Sequence, residues 1–521
     1  MSDQFDPSIP PTQPTAELRE GRRPDPGSRG AARIAWALLI VMVGLVVWMQ
    51  QSRASAPAAP PVTSQVVPEP NSGFSFTARL VLRMMTALRD LDAQSTPQGG
   101  VSPNAASMDA NSSAMVTTLD SSARTPAERL RLAITANELG SKDSATKILD
   151  KLESDLKPNA VEDMPPVYKV DDAVRGQLLD DVGTVRAILD KQDLEPGQTQ
   201  ALVDRHGWFG KVALAHDKPR NDPARVQLLS GGLVAILLLM AIGLGAIALF
   251  VASMVCFVIW FIRSASGRSP AHVFEPPVPG GSVYLETVAA FVAAFLALRL
   301  VSTFVFGALF TPGNEPEWLE TATLGLQWLV LPSIFYPMLR GVSWSQWKLD
   351  MGWHTGRGVF REIGSGIFAY LAGFPLVIGA VLISMIAMMI RVAMAGGKEP
   401  PTPSNPVVDI VTSGDAMTLV LLYSLVSIWA PIVEESIFRG SLFRHLRSRM
   451  GVIAAAVASA VVFGVMHGYE WMLLSPVIAL GLIFAMMRDR RGSLIGPVVM
   501  HALHNGILMA CMLAVLKLSG E

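Results

Sequence analysis

Apolar residues in this chain gather into long blocks instead of alternating with polar ones. The first block, residues 34–49, is uninterrupted and follows Arg22, Arg23, Arg29 and Arg33, the flanks of a membrane helix or of an export signal. From Leu228 the blocks follow closely: residues 228–262, 283–310, 321–338, 367–390, 417–442, 452–466, 472–487 and 494–516. Each is long enough, or nearly so, to cross a hydrocarbon core about 30 Å thick at ~1.5 Å of rise per residue. The pattern predicts an all-α, polytopic transmembrane helical bundle of about nine spans, with a helical domain inserted between the first two.

The polar stretches divide the rest. Residues 1–33 are rich in Pro, Asp and Arg without apolar periodicity and predict a disordered cytoplasmic tail ahead of the first span, 34–49. Residues 50–225 predict an extracytoplasmic region in which Pro/Ala-rich 54–70 and Ser/Ala/Asn/Gly-rich 93–122 are linkers. Thr125-Pro126-Ala127-Glu128 reads as N-cap, first-turn proline and capping-box glutamate before Leu130, Leu132 and Ile134. Helical periodicity continues over 144–156 and 170–191, giving a small domain of stacked helix pairs, a spacer or protein-binding module. His206 and His216, either side of Gly207-Trp208-Phe209-Gly210, are expected to be surface histidines. Ala54-Ser55-Ala56 resembles a signal-peptidase site, but the leader would be unusually long, so an uncleaved anchor is expected. A second span and loop, 226–282, then lead into an intramembrane domain over 283–517.

Composition agrees with a bilayer: 50% of the 521 residues are hydrophobic and 16% charged, with a mean hydropathy of +0.39. A net charge of -1 gives no field for nucleic acid. Cys256 and Cys511 sit in apolar runs as small hydrophobes and supply no disulfide framework. Basic residues fall in alternate loops: Arg263 and Arg268; Arg340, Lys348, Arg357 and Arg361; Arg444, Arg447 and Arg449; Arg488, Arg490 and Arg491. The opposite short loops carry little beyond Arg391 and Lys398. A cytoplasmic N-terminus follows, in a multi-pass protein of a prokaryotic cytoplasmic membrane.

Ionisable groups at bilayer depth cost at least ~2.5 kcal/mol each on insertion scales, so they mark candidate sites. Glu434, Glu435 and Arg439 lie in the block 417–442, and Glu435 and Arg439 are i,i+4 partners that can neutralise each other. Glu434 points to another side and stays free. Phe463 and His467 share a face of the next block, as His501 and Asn505 do on the last. Counted at ~1.5 Å per residue from the basic ends, Glu434 lies at roughly 20 Å, His467 at about 24 Å, and His501 and Asn505 at about 15 and 21 Å. The polar residues of three helices therefore meet in one layer. Glu286 and Arg299 match no motif and are expected only to pair with neighbouring helices or to snorkel.

The succession EExxxR, FxxxH, HxxxN, here Glu434-Glu435 with Arg439, Phe463 with His467, and His501 with Asn505, resembles the CPBP (Abi) family of intramembrane endopeptidases. That family includes the Ras-converting CAAX prenyl protease and bacteriocin-immunity proteins. The resemblance covers roughly residues 283–516 and leaves out the exported region. It implies a water activated by Glu434 with His467, and an oxyanion held by His501 and Asn505 as neutral donors. Glu435 and Arg439 would balance charge, and Phe463 would line the cavity. His504 is a second ring that could face the site. This mechanism needs no cofactor; the alternative is a zinc ion on Glu434, His467 and His501. Partners implied are the bilayer, a membrane-associated peptide or protein substrate, and a protein partner for the exported domain. The competing functions are a non-catalytic scaffold or immunity-type protein and a transporter, for which no internal repeat speaks.

Overall fold

The computed structural model of the chain describes residues 24–55, 73–96, 104–157, 171–268, 272–310, 318–394 and 415–518, with 316, 407, 410 and 411. Residues 1–23 of the expected tail, most of the 54–70 linker and Lys398 lie outside the described residues. Among the described residues every named element is helical, and the sole β-bridge joins Pro24 to Val278. The chain divides into two compact units, one chiefly Ala56–Ala246, the other Met1–Ser55, Ile247–Ile410 and Gly414–Met509.

The first unit packs short helices from Gly73–Ser95 to Pro223–Leu229 around Pro126–Glu138, which is buried along almost its whole length. The capping box forms as the sequence predicts. Thr125 Oγ1 accepts from the Glu128 N–H at 3.1 Å, and Glu128 Oε2 accepts from the Thr125 N–H at 3.0 Å. Leu82, Leu130, Leu132, Leu149, Leu152 and Leu202 fill the core, each burial contributing about 1.5–3 kcal/mol.

Two expectations change here. Ala105–Asp120, inside the stretch expected as a linker, is a helix. Ser112, Val116 and Leu119 form a single narrow buried stripe at i, i+4, i+7, too thin to register in a composition dominated by small polar residues. His206 is not at the surface: it is 2% exposed and donates from Nε2 to Asp181 at 3.0 Å. The buried aspartate draws it inward, and Arg205 spans both oxygens of the carboxylate, Nε to Oδ2 at 2.8 Å and Nη2 to Oδ1 at 2.5 Å. His216, half-buried, bonds Glu138 at 2.7 Å.

Among the described residues, eight helices are long and apolar enough to cross a membrane: Arg29–Met49, Pro223–Ala265, Val283–Leu309, Trp318–Leu339, Val359–Met394, Ala416–Arg447, Trp471–Arg491 and Ile495–Leu516. Val452–Met466 is a shorter apolar helix of 15 residues. Gly232–Ala265 is apolar on all sides, with Leu237, Leu244, Val251 and Val258 exposed, as a helix solvated by lipid must be.

In the membrane unit, loops expected on one side meet at one end. Arg444 pairs with Asp25 at 2.7 Å and Asp350 at 2.8 Å, Arg447 with Asp489 at 2.9 Å, and Arg491 with Glu362 at 2.7 Å. His272 also pairs with Asp489. Glu286 is held by Ser282 at 2.6 Å, Tyr336 at 3.0 Å and Arg340 at 3.0 Å. The boundary of the tail moves accordingly. Helix begins at Arg29, and Pro24–Ser28 is tied down through Pro26 O, which accepts from the Ser282 and Val283 N–H groups at 3.0 and 3.1 Å. A polar, proline-rich sequence is ordered here because Asp25 supplies a buried counter-charge to Arg444, which no periodicity could reveal.

Candidate active site

The glutamate-bearing helix Ala416–Arg447 is not regular. It widens to π geometry over Leu425–Trp429 and again over Ser436–Leu442, leaving Ala430–Glu435 as an α-helical island between. A π turn shifts the hydrogen-bond register by one residue and leaves a carbonyl free for an outside donor. Asn505 uses that opening: its Nδ2 donates to Val426 O at 2.8 Å.

Glu435 and Arg439 are fully buried and joined at 3.0 Å. Arg439 also donates to Gly481 O at 3.1 Å, and its guanidinium lies 4.2 Å from the centre of the Phe463 ring and 5.2 Å from that of Phe484. Two aromatic faces and a carbonyl thus replace water around the charge. Gly481 permits this approach, since a Cβ there would stand 3.1 Å from both Arg439 Nη2 and Ala460.

Glu435 Oε1 has a second partner. His501 donates to it from Nδ1 at 3.0 Å, and the ring is stacked on Phe484 with centres 5.3 Å apart. That fixes the other nitrogen: His501 Nε2 lies 4.0 Å from Glu434 Oε2, beyond hydrogen-bond length. Glu434 keeps 19% of its side chain exposed, yet its Oε2 is buried without a partner. His467 donates from Nδ1 to Phe463 O at 2.8 Å, so in its neutral form Nε2 carries the lone pair. Phe463 meets His467 at 4.6 Å and His501 at 6.0 Å, both edge to face, and so forms the wall the two imidazoles share.

The structure therefore gathers Glu434, Glu435, Arg439, Phe463, His467 and His501. Asn505, one turn beyond His501, is turned to the π segment. His504 faces away, 3.3 Å from the Tyr370 hydroxyl. Sequence reasoning missed Gly481 and Phe484. A glycine inside an apolar helix marks close approach and could have flagged the first; nothing in the sequence flags the second. Among the described residues, no group of three or more His, Cys, Asp or Glu side chains is placed to hold a metal ion; Glu435 occupies His501 Nδ1 and Phe463 O occupies His467 Nδ1, which leaves Nε2 of each ring.

The motif order and this geometry fall within one stretch of chain. Residues 416–507 match the family of type II CAAX prenyl endopeptidase Rce1-like proteins. The Rce1-like segment begins at the glutamate helix and ends just after Asn505, so it contains every residue of the cluster. No curated protein and no solved structure matches the chain. At family level the Rce1-like match implies a membrane protease acting on a peptide.

Proposed function

We propose that this protein is an intramembrane endopeptidase in which Glu434 activates the hydrolytic water. The observation that carries the proposal is a carboxylate oxygen buried in a membrane helix without a partner, 4.0 Å from an imidazole nitrogen whose ring is fixed by a second carboxylate. A buried polar atom left unpaired costs about 1–3 kcal/mol, and such a cost is tolerated where a reacting molecule completes the set.

The steps follow from the donors available. Glu434 takes a proton from water and His467 Nε2 orients that water through its lone pair. The oxygen attacks the scissile carbonyl carbon, whose oxygen becomes anionic. For His501 to donate to this oxyanion from Nε2 while Nδ1 donates to Glu435, the ring must carry both protons; with Glu435 paired to Arg439, the Glu434 carboxylate balances that charge before the attack and the oxyanion after it. This replaces the neutral donor expected of His501. The second N–H of Asn505 remains for the same task, since only one is given to Val426 O. Collapse of the intermediate passes the proton from Glu434 to the departing amine.

The rest of the assignment is proposed with it: N-terminus in the cytoplasm of a prokaryote, residues 50–225 outside, no cofactor. Clustering of Arg444, Arg447, Arg488 and Arg491 at one end supports the orientation. The test compares membranes containing the wild-type protein with membranes containing Glu434→Ala, by sequencing peptide termini. Termini present only with the wild type support the hydrolase; identical termini would end it. Chelation separates the alternatives of mechanism. Cleavage that survives chelator supports the glutamate route, and recovery of lost activity with one equivalent of zinc would replace it.

A further inference from the structure

A serine in a membrane helix ordinarily returns its hydroxyl to a carbonyl three or four residues back. On the glutamate helix Ser424 does so to Leu421 O at 2.8 Å and Ser436 to Ile432 O at 2.7 Å. Ser459, fully buried on the neighbouring helix Val452–Met466, does not. Its Oγ crosses to the glutamate helix and donates to Phe438 O at 3.1 Å. That carbonyl lies in the second π segment, where it also accepts from the Phe443 N–H five residues on, the bond that defines π geometry.

A carbonyl oxygen has two lone pairs, and a donor inserted from the side tilts it out of the helical ladder. Asn505 does the same to Val426 O in the first π segment. The two outside donors therefore stand on either side of Ala430–Glu435, the island that carries both glutamates. Ser459 also precedes Phe463 by four residues and His467 by eight, on one helix face. The helix that presents His467 to the site is thus the one that grips the glutamate helix just beyond Glu435. In lipid no water replaces a lost donor. Once Ser459 lets go, the extra residue of the π segment can pass into the island, and that step turns Glu434 and Glu435 by ~100° about the axis. Glu435 would then leave Arg439 and His501, each of which it now meets at 3.0 Å.

On the hydrolase assignment above, we propose that Ser459 is a positioning residue for Glu434: its hydroxyl pins the π register that keeps Glu435 on His501 and Glu434 Oε2 opposite His501 Nε2. It touches neither the peptide nor the reacting atoms.

The test uses the full chain in detergent micelles, with Ser459→Thr and Ser459→Val as the central pair. These side chains have the same shape and differ only in the hydroxyl, so any crowding is common to both; Ser459→Ala adds no bulk and should behave as Ser459→Val does. The first readout is the imidazole nitrogen spectrum of chain labelled with 15N-histidine, in which the His501 signals are those lost in His501→Gln. The Nδ1 signal of His501 should be alike in the parent and Ser459→Thr and should move in Ser459→Val and Ser459→Ala, although His501 stands on another helix. The second readout is turnover of a fluorescent farnesylated peptide ending in Cys-aliphatic-aliphatic-X. Ser459→Val should have a kcat about 10- to 100-fold below that of Ser459→Thr, the scale of a displaced catalytic group, with the same KM. An unmoved His501 signal overturns the proposal, as does a kcat equal in the two variants or a loss confined to KM; Ser459 is then a packing residue. A parent chain that leaves the peptide whole and yields no Glu434-dependent termini in membranes loses the hydrolase assignment, and the His501 signal alone then decides for or against Ser459.

Discussion

Asp181 in the Ala56–Ala246 unit and Glu435 in the membrane unit have the same two kinds of partner, an arginine and a histidine, and put them to different use. Asp181 is saturated: Oδ1 takes Arg205 Nη2, and Oδ2 takes both Arg205 Nε and His206 Nε2. Glu435 is half used. Its Oε1 takes Arg439 and His501, its Oε2 takes nothing, and the carboxylate beside it, Glu434, also has an oxygen with no partner. Water-exposed neighbours could relieve such a shortage in the first unit; lipid cannot. A carboxylate cluster that is complete in itself holds helices together; on the proposed function, the incomplete one in the membrane unit is completed by a molecule that arrives later.

The largest effect that would break this comparison is on turnover. Glu434→Gln should lower peptide cleavage by about 10²- to 10⁴-fold, the range of a general base, while helical content and melting stay those of the parent. Asp181→Asn should leave cleavage unchanged. If both variants cleave normally, the unpaired oxygen has no chemical use.

Next come the arginines. Arg439→Ala leaves the fully buried Glu435 with His501 alone, and loss of one partner from a buried pair costs about 3–5 kcal/mol. Arg205→Ala should cost less, about 1–3 kcal/mol, because Arg205 is 20% exposed whereas Arg439 is fully buried. Asp25→Ala should cost less again, about 1–2 kcal/mol, since Asp350 remains on Arg444. Thermal unfolding of the full chain in detergent checks the order; equal losses at Arg439 and Asp25 would mean that the end of the bundle is as unforgiving as its middle.

Much of the membrane unit is legible in the sequence, because lipid demands long apolar helices and makes each interruption conspicuous. Glu434, His467 and His501 stand out for that reason, and their helical spacing brought them to one layer. The π turns left no such mark. Their effect is to send Asn505 to Val426 and to leave Ser427 without a partner, and it depends on backbone register, which residue types do not encode singly. Phe484 is one apolar residue among many in its helix. The Ala56–Ala246 unit was less legible: polar surfaces are ordinary in water, so the thin stripe of Ala105–Asp120 and the inward turn of His206 passed as linker and surface.

The smallest effect is one of pH on the saturated cluster. Burial lowers the proton affinity of His206, only partly offset by Asp181. Burial raises that of Asp181, but the bonds from His206 and Arg205 outweigh it and hold the carboxyl below its usual range. Both folded groups thus bind protons less readily than their unfolded forms, so acid favours unfolding. The stabilisation is complete above the unfolded histidine value of about 6.5, declines as pH falls below it, and declines again below about 3.9 as the unfolded aspartate is protonated. The slope cannot exceed about 1.4 kcal/mol per pH unit for a single proton. Amide exchange of residues 171–216 in the full chain, corrected for intrinsic rates, should quicken through the upper window, and His206→Gln should flatten that slope while leaving the lower one. A steeper loss at high pH instead would mean that the histidine is charged in the fold, and that Asp181 is balanced by two cations rather than one.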